Sequence, residues 1–318
     1  MSVASGLIKK LSTSASVLLL ITGSALAAEA EACKTVRFSD VGWTDITATT
    51  ATATSVLDAI GYETDVKVLS VPVTYASLAN NDIDVFLGNW MPTMEADIAK
   101  YREAGTVDTV QTNLTGAKYT LAVPKYTYDK GLKDFADIAK FSGDLDGEIY
   151  GIEAGNDGNR LILDMIEKNA FGLDKFDLVE SSEAGMLSQV ARKTRKNQDI
   201  VFLGWAPHPM NSNFELKYLT GGDEFFGPNF GGADVLTNTR AGYSAECANM
   251  GKFLQNLTFS LQMENEIMNG ILNDGEEPTD AAKAWIKKNP EALDKWLAGV
   301  TTFDGKDGLA AAKTAFGL

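Results

Sequence analysis

The sequence predicts an α/β protein made of two lobes that are joined by a hinge of two crossing segments. Three observations favour this fold class. Strand-like and helix-like segments alternate along the chain, the alternation occurs twice, and each series ends in nearly the same motif, DVFLGNWMP at 84–92 and IVFLGWAPHP at 200–209. The chain is also long enough for two domains, because a single soluble domain typically has about 100–150 residues.

The first series of elements begins near residue 35 and the second near residue 148. Their apolar runs are continuous and bounded by glycine, which is typical of parallel strands covered on both faces. In the first series we predict strands at 35–42, 64–71 and 84–88 and helices at 46–60 and 75–80. In the second series we predict strands at 148–155, 176–181 and 199–204 and helices at 159–169 and 184–194.

The C-terminal part of the chain is predicted to be helical, with amphipathic stretches near 245–258, 260–272, 279–288 and 290–298. The only cysteines, Cys33 and Cys247, predict a disulfide, because an even number of cysteines in an exported protein is typical of disulfide pairing. That bond would hold the helical tail on the first lobe. We therefore predict a first lobe of residues 28–116 and 226–318, with a second lobe inserted at 117–225.

Residues 1–27 have the pattern of a secretory signal peptide, with two lysines, the apolar run SVLLLITG and a small-residue cleavage site at 25–27. The apolar run is too short to span a bilayer. We therefore predict cleavage near Ala27 and a periplasmic protein. Lipid attachment at Cys33 is the alternative, and it fits less well because Glu31 lies where small apolar residues are expected.

The formal net charge of −15 becomes −17 once the two lysines of residues 1–27 are removed. Such a charge opposes binding to nucleic acid and to anionic membranes and attracts cationic partners, although it serves solubility equally well. Because the sequence has a single histidine, it predicts no metal site of several histidines, and we expect no cofactor. We also expect a monomer.

Three of the five tryptophans, Trp43, Trp90 and Trp205, lie shortly after a glycine that ends a predicted strand. Ligands of open parallel sheets bind beyond the carboxyl ends of the strands, so each ring is predicted to face the crevice between the lobes. The glycine is predicted to let the backbone turn sharply. Packing in a core is the alternative for any single ring. Trp285 and Trp296 lie in amphipathic helical patterns, and we assign both to packing.

Several electron-rich rings around one cleft favour a quaternary ammonium ligand. Such a cation has no N–H group to donate, and its methyl groups and diffuse charge bind ring faces, each contact contributing roughly 0.5–2 kcal/mol. A sugar would also stack on aromatic rings, but it would need more polar side chains at the strand ends than the segment VFLGNWMP provides.

The chain resembles the periplasmic substrate-binding proteins of glycine betaine/choline ABC transporters, and most closely their choline-binding members. The resemblance covers essentially the whole mature chain. It implies a type II-like periplasmic binding protein fold, choline or a related quaternary ammonium in the cleft between the lobes, and a membrane-embedded ABC permease as partner. The motifs that carry the resemblance are DVGWTD (40–45), FLGNWMP (86–92), GAKYTLAVP (116–124), GIEAGNDG (151–158) and FLGWAPHPM (202–210).

The resemblance also implies a particular set of site residues. The aromatic box would consist of Trp43, Trp90, Tyr119 and Trp205, with Asp45 and Asn156 as the polar contacts. Without the resemblance, Tyr119 is an ordinary strand tyrosine, Asp45 is the N-cap of a helix that begins at Ile46, and Asn156 is a turn or cap residue. Capping and ligand contact are compatible.

Asp45 and Asn156 distinguish choline from glycine betaine, which share a trimethylammonium group and differ in carrying a hydroxyl or a carboxylate. A hydroxyl can donate to Asp45 and accept from Asn156, whereas Asp45 would repel a carboxylate. Choline is therefore favoured, and glycine betaine is the alternative. The imidazole of His208 could bind the carboxylate of a ligand such as glycine betaine, but we favour a structural role for this residue.

The alternative from another functional class is a secreted hydrolase that acts on a choline ester or on phosphocholine. Such an enzyme needs an activated nucleophile or a metal. The sequence has no G-x-S-x-G motif, and a disulfide would occupy both cysteines. We therefore predict a binding protein and no enzyme.

Overall fold

The computed structural model describes residues 1–2 and 29–318. Nearly all of the predicted signal peptide, including its cleavage site, therefore lies outside the described residues. In the rest of the chain, strands form one mixed sheet and helices pack against it.

The sheet contains nine strands within the described residues. They are β1 (Thr35–Asp40), β2 (Glu63–Val68), β3 (Val85–Met91), β4 (Val107–Pro124), β5 (Glu148–Tyr150), β6 (Asp177–Val179), β7 (Phe202–Ala206), β8 (Leu216–Tyr218) and β9 (Gly232–Arg240). Their order is β2-β1-β3-β9-β4-β7-β5-β6, and β8 pairs with β4. Strand β1 is parallel to β2 and β3, and β5 is parallel to β6 and β7. The two parallel groups are joined through the antiparallel strands β9 and β4.

Strand β4 connects the two parallel groups directly, because it is 18 residues long. Its first part pairs with β9 as far as Lys118, and its second part pairs with β7 from Lys118 to Ala122. The chain returns through residues 226–232 into β9. The structure thus has the two crossing segments of the predicted fold class.

Helices occupy most of the remaining chain. The α-helices are α1 (Thr44–Ala59), α2 (Val71–Ala79), α3 (Glu95–Glu103), α4 (Lys125–Asp129), α5 (Asp157–Glu167), α6 (Glu183–Thr194), α7 (Met210–Asn213), α8 (Asp223–Phe226), α9 (Pro228–Gly231), α10 (Tyr243–Glu246), α11 (Ala248–Asn256), α12 (Leu261–Leu272), α13 (Pro278–Lys288), α14 (Glu291–Trp296) and α15 (Gly308–Phe316). Short 3-10 helices cover Glu31–Cys33, Phe135–Phe141 and Ala170–Gly172.

The C-terminal helices pack on the first parallel group. One hydrophobic cluster combines β1 and α1 with side chains of the tail, such as Phe253 and Trp296. The predicted disulfide is present inside this cluster, with both cysteines fully buried and the Cα atoms of Cys33 and Cys247 5.6 Å apart. Because the Sγ atom of Cys33 is bonded, it is not free to carry a lipid.

The predicted ends of two strands are wrong. Strand β3 continues through Trp90 to Met91, and β7 continues through Trp205 to Ala206, so both rings belong to strands and do not follow them. The preceding glycines are therefore not turn residues. A Cβ atom on Gly88 would lie 2.8 Å from the Ile46 side chain, so this glycine is needed because α1 packs closely against β3.

Helix α1 also begins earlier than predicted, at Thr44, and its N-cap residue is Trp43. Asp45 is therefore not the N-cap and lies inside the first turn. The prediction for Trp43 itself holds, because Gly42 has a φ of +81° and turns the chain between β1 and α1. The elements that were not predicted include strands β4, β8 and β9 and helices α3, α4, α7, α8, α9 and α15.

The predicted lobe boundaries, after residues 116 and 225, stay a prediction. No helix among the described residues is both long and apolar enough to cross a membrane. Within residues 1–2 and 29–318 there is also no group of three or more His, Cys, Asp or Glu side chains placed to hold a metal ion.

Candidate functional site

The six predicted site residues line one small cavity at the junction of the two parallel groups. Two further residues, Ile152 and Asp157, complete its lining. The full lining is Trp43, Asp45, Trp90, Tyr119, Ile152, Asn156, Asp157 and Trp205. A wider groove opens between residues 208–212 and helices α12 and α13, but none of the predicted site residues lies in it.

Four aromatic rings form most of the cavity wall. The ring centroid of Tyr119 lies 6.1 Å from that of Trp90 and 6.2 Å from that of Trp205, with interplanar angles of 60° and 81°. All four rings, including that of Trp43, are 3–5% exposed. Inclined rings at these distances are in tilted and edge-to-face contact, so Tyr119 packs against Trp90 and Trp205 and helps to hold both in the cavity wall.

The strands hold these rings in place. Tyr119 in β4 lies directly opposite Trp205 in β7, so the antiparallel register fixes this pair. Two glycines leave room for Tyr119, because a Cβ atom on Gly158 would lie 2.0 Å from its hydroxyl oxygen, and one on Gly231 would lie 1.9 Å from its carbonyl oxygen. Substituting either glycine would displace the tyrosine.

Three polar side chains complete the cavity. Asn156 caps helix α5, and its Oδ1 accepts hydrogen bonds from Asn159 N at 3.1 Å and from the Tyr119 hydroxyl at 2.9 Å. Its Nδ2 donates to Asp157 Oδ1 at 3.1 Å, which leaves one amide hydrogen for another acceptor. Asp45 Oδ2 accepts from Trp90 Nε1 at 3.1 Å.

Two buried carboxylate oxygens in the lining have no hydrogen-bond partner, Asp45 Oδ1 and Asp157 Oδ2. Burial, with a smaller contribution from Glu183, raises the pKa of Asp45 to about 8. Burial also raises the pKa of Asp157 to about 7. Behind Asp45, burial raises the pKa of Glu264 well above its usual range. The lining contains no Lys, Arg or His, so a cationic ligand would be the source of positive charge there, and it would favour the ionised form of both acids.

Residues from the two predicted lobes meet around the cavity. Trp43 Nε1 donates to Glu153 Oε1 at 2.7 Å. On another side, the Arg160 guanidinium donates to the Thr93 carbonyl oxygen at 3.0 Å and to Asp97 Oδ2 at 2.8 Å. These contacts, together with the low exposure of the rings, show that the cleft is closed.

His208 and the two remaining tryptophans lie outside the cavity lining. His208 is buried, and its Nδ1 accepts from Met210 N at 2.9 Å. Trp296 is buried in the core of the tail. Trp285 packs against that core but is only half-buried, and its Nε1 donates to Glu266 Oε2 at 2.7 Å. These positions agree with the structural roles assigned to all three.

Sequence reasoning missed Ile152 and Asp157. Asp157 directly follows Asn156 in the motif GIEAGNDG, so that motif could have indicated it. In an acidic chain, however, one more aspartate carries little information. Ile152 had no distinguishing signal, because an isoleucine near a strand end is normally a core residue.

The two-lobed fold and the closed cavity between the lobes define a substrate-binding protein of the kind that serves ABC transporters. Residues 34–288 match the family model for the substrate-binding domain of ABC-type glycine betaine transport systems. The match covers more than half of the chain, and the protein belongs to this family.

Solved structures agree with this assignment. An ABC-transporter choline-binding protein in complex with choline is 68% identical, with a TM-score of 0.90 over 91% of this chain and 100% of that chain. An ABC-transporter choline-binding protein in an unliganded semi-closed conformation is 69% identical over the same shares, with a TM-score of 0.84. Lactococcal OpuAC, closed and complexed with glycine betaine, is 27% identical over 83% of this chain and 99% of that chain, with a TM-score of 0.75. The structure is thus nearer in shape to the choline complex than to the semi-closed protein.

Proposed function

We propose that this protein binds choline in the closed cavity and delivers it to a membrane-embedded ABC importer. The observation that carries the proposal is the composition of the cavity wall. Four aromatic rings surround the space, two carboxylate oxygens in it lack hydrogen-bond partners, and none of the eight lining residues is cationic.

The aromatic box of Trp43, Trp90, Tyr119 and Trp205 holds the trimethylammonium group. Each ring face contributes roughly 0.5–2 kcal/mol when the cation is desolvated, so four rings can supply most of the about −8 kcal/mol that corresponds to micromolar affinity. The buried carboxyl groups of Asp45 and Asp157 add attraction to the positive charge.

The polar end of the cavity favours a hydroxyl over a carboxylate. A hydroxyl can donate to Asp45 Oδ1 or Asp157 Oδ2, and it can accept the free amide hydrogen of Asn156. A carboxylate would face two buried acids, with no cationic side chain in the lining to compensate for them. Glycine betaine, the alternative ligand, is therefore expected to bind more weakly than choline.

Both lobes contribute residues to the site in this proposal. With a first lobe of 28–116 and 226–318 and a second lobe of 117–225, the first lobe supplies Trp43, Asp45 and Trp90. The second lobe supplies Tyr119, Asn156 and Trp205. Such a division makes ligand binding and lobe closure one event, as delivery to an importer requires.

We further propose that the protein is exported, cleaved near Ala27 and periplasmic. Glu29, two residues later, is already fixed to the first lobe, since its carboxylate accepts from Asn249 N at 2.6 Å and from the Tyr62 hydroxyl at 2.5 Å.

We also propose that the protein is not an enzyme, because its family serves transport and the cavity wall has no serine, cysteine, histidine or lysine as a nucleophile.

Calorimetric titration of purified, ligand-stripped protein tests this proposal. Choline, acetylcholine, glycine betaine and proline betaine are titrated in turn, and each mixture is assayed afterwards for hydrolysis. We expect choline to bind with micromolar or better affinity and more tightly than glycine betaine. Tighter binding of glycine betaine would establish the alternative ligand, and hydrolysis of acetylcholine would establish the enzyme.

A further inference from the structure

Glu183 joins the two lobes beside the cavity without lining it. It is the first residue of α6 in the second lobe, and its side chain is buried. Its Oε2 accepts a hydrogen bond from the backbone N–H of Thr44 at 2.9 Å, and its Oε1 accepts from the Thr44 hydroxyl at 2.5 Å. Thr44 begins α1 in the first lobe, 139 positions away along the chain.

Helix α1 needs this carboxylate because it has no N-cap of its own. The first N–H groups of a helix lack partners within the helix, and a side chain such as Ser, Thr, Asp or Asn usually accepts from them. The N-cap residue of α1 is Trp43, whose side chain makes no capping bond. Glu183 supplies the missing acceptor from the opposite lobe, and its negative charge also complements the helix dipole.

His208 fixes the other side of Glu183. Because Nδ1 of His208 accepts from Met210 N, the neutral ring carries its hydrogen on Nε2, which lies 3.1 Å from Glu183 Oε1 and donates to it. The imidazole ring also packs edge-on against Trp205 at 4.9 Å. A continuous set of contacts therefore runs from Trp43 and Thr44, through Glu183 and His208, to Trp205.

We propose that Glu183 is the positioning residue that holds the cleft closed, by capping helix α1 across the two lobes. Opening of the hinge separates Glu183 from Thr44 and leaves the N-terminus of α1 without this acceptor. Thr44 lies between Trp43 and Asp45, so closure by Glu183 also sets the places of two cavity residues. This inference rests on the proposed function and adds the means by which closure is stabilised.

A change at Glu183 should alter the affinity for ligands without altering the preference among them. A residue that stabilises only the closed state changes the fraction of protein that is competent to bind, and it changes the apparent dissociation constant of every ligand by the same factor. A residue that contacts the ligand changes the ratio between ligands. Glu183 also raises the pKa of Asp45, so its common effect on choline and glycine betaine is to be measured at pH 9, where Asp45 is mostly ionised.

The test compares Glu183→Gln with Glu167→Gln, which makes the same change of charge at an exposed position of the second lobe. Calorimetry gives the dissociation constants for choline and glycine betaine, and amide hydrogen exchange by NMR gives the protection of the Thr44 N–H. We expect Glu183→Gln to weaken both ligands by about tenfold at an unchanged ratio and to remove the protection of the Thr44 amide in the choline complex. Glu167→Gln should resemble the wild-type protein.

Thr44→Ala provides a second variant in case Glu183→Gln folds poorly, because it removes only the hydroxyl contact. It should weaken both ligands by a smaller common factor, and its effect should not add to that of Glu183→Gln. Equal affinity in Glu183→Gln and Glu167→Gln, or an unprotected Thr44 amide in the wild-type choline complex, would overturn the proposal. If the wild-type protein binds glycine betaine but not choline, the proposed ligand is wrong, and the same measurements with glycine betaine still test Glu183.

Discussion

Asp45 and Asp157 are buried acids whose unpartnered oxygens face a space with no cationic side chain. Burial of a carboxylate is unfavourable unless a positive charge or hydrogen bonds compensate for the lost water. Trp90 and Asn156 each donate one hydrogen bond to these acids, and further compensation in the closed cavity can come from a bound proton or from a bound cation. In the proposed function a quaternary ammonium ligand supplies the charge, which would make the two acids part of ligand recognition.

Asp45→Asn should change the choice of ligand. The substitution removes a negative charge and keeps a polar group of similar size, so choline loses a charge-assisted hydrogen bond and an attraction to its ammonium group. Glycine betaine loses a repulsion and gains an amide donor. We expect the ratio of the two dissociation constants to shift toward glycine betaine by tenfold or more, about 1.4 kcal/mol. An unchanged ratio in parallel calorimetric titrations would show that Asp45 does not contact the distinguishing end of the ligand.

Choline affinity should fall as the pH is lowered below about 8, since the pKa of Asp45 in the closed cavity is raised to about 8. The ligand's positive charge favours the ionised carboxylate, so binding releases a proton at lower pH and is strongest where Asp45 is already ionised. Glu183 acts against the ionisation of Asp45, and the charge of Asp45 in turn raises the pKa of Glu264.

The pH effect is measured by calorimetric titration from pH 5 to pH 9 in buffers of different ionisation enthalpy, which report the protons released. Asp45→Asn is the control and should remove the part of the change that is centred near pH 8, leaving the part that is due to Asp157, whose pKa is raised to about 7. A wild-type profile that is already flat between pH 5 and pH 9, without proton release, would show that Asp45 has an ordinary pKa in the free protein.

Replacing a ring of the box should reduce binding more than folding. We expect Trp43→Ala, Trp90→Ala and Trp205→Ala each to weaken choline binding by at least roughly 1–2 kcal/mol. Trp296→Ala is the matched control, because that ring is buried in the tail core, and its loss should destabilise the fold by roughly 3–5 kcal/mol with affinity unchanged. Urea unfolding and calorimetry distinguish the outcomes, and box variants that unfold while the remaining folded protein binds normally would assign those rings to a core.

At the scale of elements, close contacts between strands and helices place the box. Gly204 precedes Trp205 in β7, and a Cβ atom there would lie 2.8 Å from the Cβ of Ala122 in the neighbouring strand. A Cβ of Ala122 cannot move without its backbone. Small side chains at this position therefore set the distance between β7 and β4, and with it the distance between Trp205 and Tyr119.

Gly204→Ala should accordingly lower the free energy of unfolding by about 1–3 kcal/mol and weaken choline binding, since it pushes apart the strands that carry two rings of the box. Gly143→Ala is the control in the same lobe, because Gly143 has open space at its Cβ position and no positive φ. That variant should stay within about 0.5 kcal/mol of the wild-type protein. Equal stability of the two variants would show that the sheet accommodates the extra methyl group.

The parallel strands and their helices could be predicted because they are continuous apolar runs bounded by glycine. Strand β4 could not, since its first part, VDTVQTNLT, is polar and its pairing with β9 shifts register three times. Irregular pairing removes the period-two pattern by which a strand is recognised. Helix α3, with one buried residue, is similarly polar and gave no apolar stripe.

Part of the site could be predicted, either because its residues lie in the repeated motifs or because the family resemblance implied them. The tryptophans of β3 and β7 belong to matching motifs, and Tyr119, Asp45 and Asn156 came from the family pattern. The roles of Asp157 and Glu183 depend on which groups face them when the lobes meet. That information lies in the closed arrangement of the lobes, and local sequence does not carry it.

At the scale of the whole molecule, one disulfide joins Cys33, near the start of the described segment 29–318, to the C-terminal tail. The bonded residues are 214 positions apart, and everything that forms the second lobe lies between them. Neither Cys33 nor Cys247 lines the cavity, and both are buried with β1, α1 and the tail helices. The bond therefore constrains the first lobe and leaves the relative motion of the lobes free.

Replacing both cysteines by alanine should thus lower the free energy of unfolding and leave choline binding nearly unchanged. In the chain-entropy model a closed loop of this length stabilises the fold by at most roughly 4–5 kcal/mol, so we expect a loss of up to that size in urea unfolding. Choline affinity should change by less than about threefold, well under 1.4 kcal/mol, because the cavity walls remain. Mass spectrometry of the exported wild-type protein should show the bond complete, with no free thiol and no lipid on Cys33. An affinity that falls together with stability would mean that the disulfide also holds α1, and with it Trp43 and Asp45, in the position that closure requires.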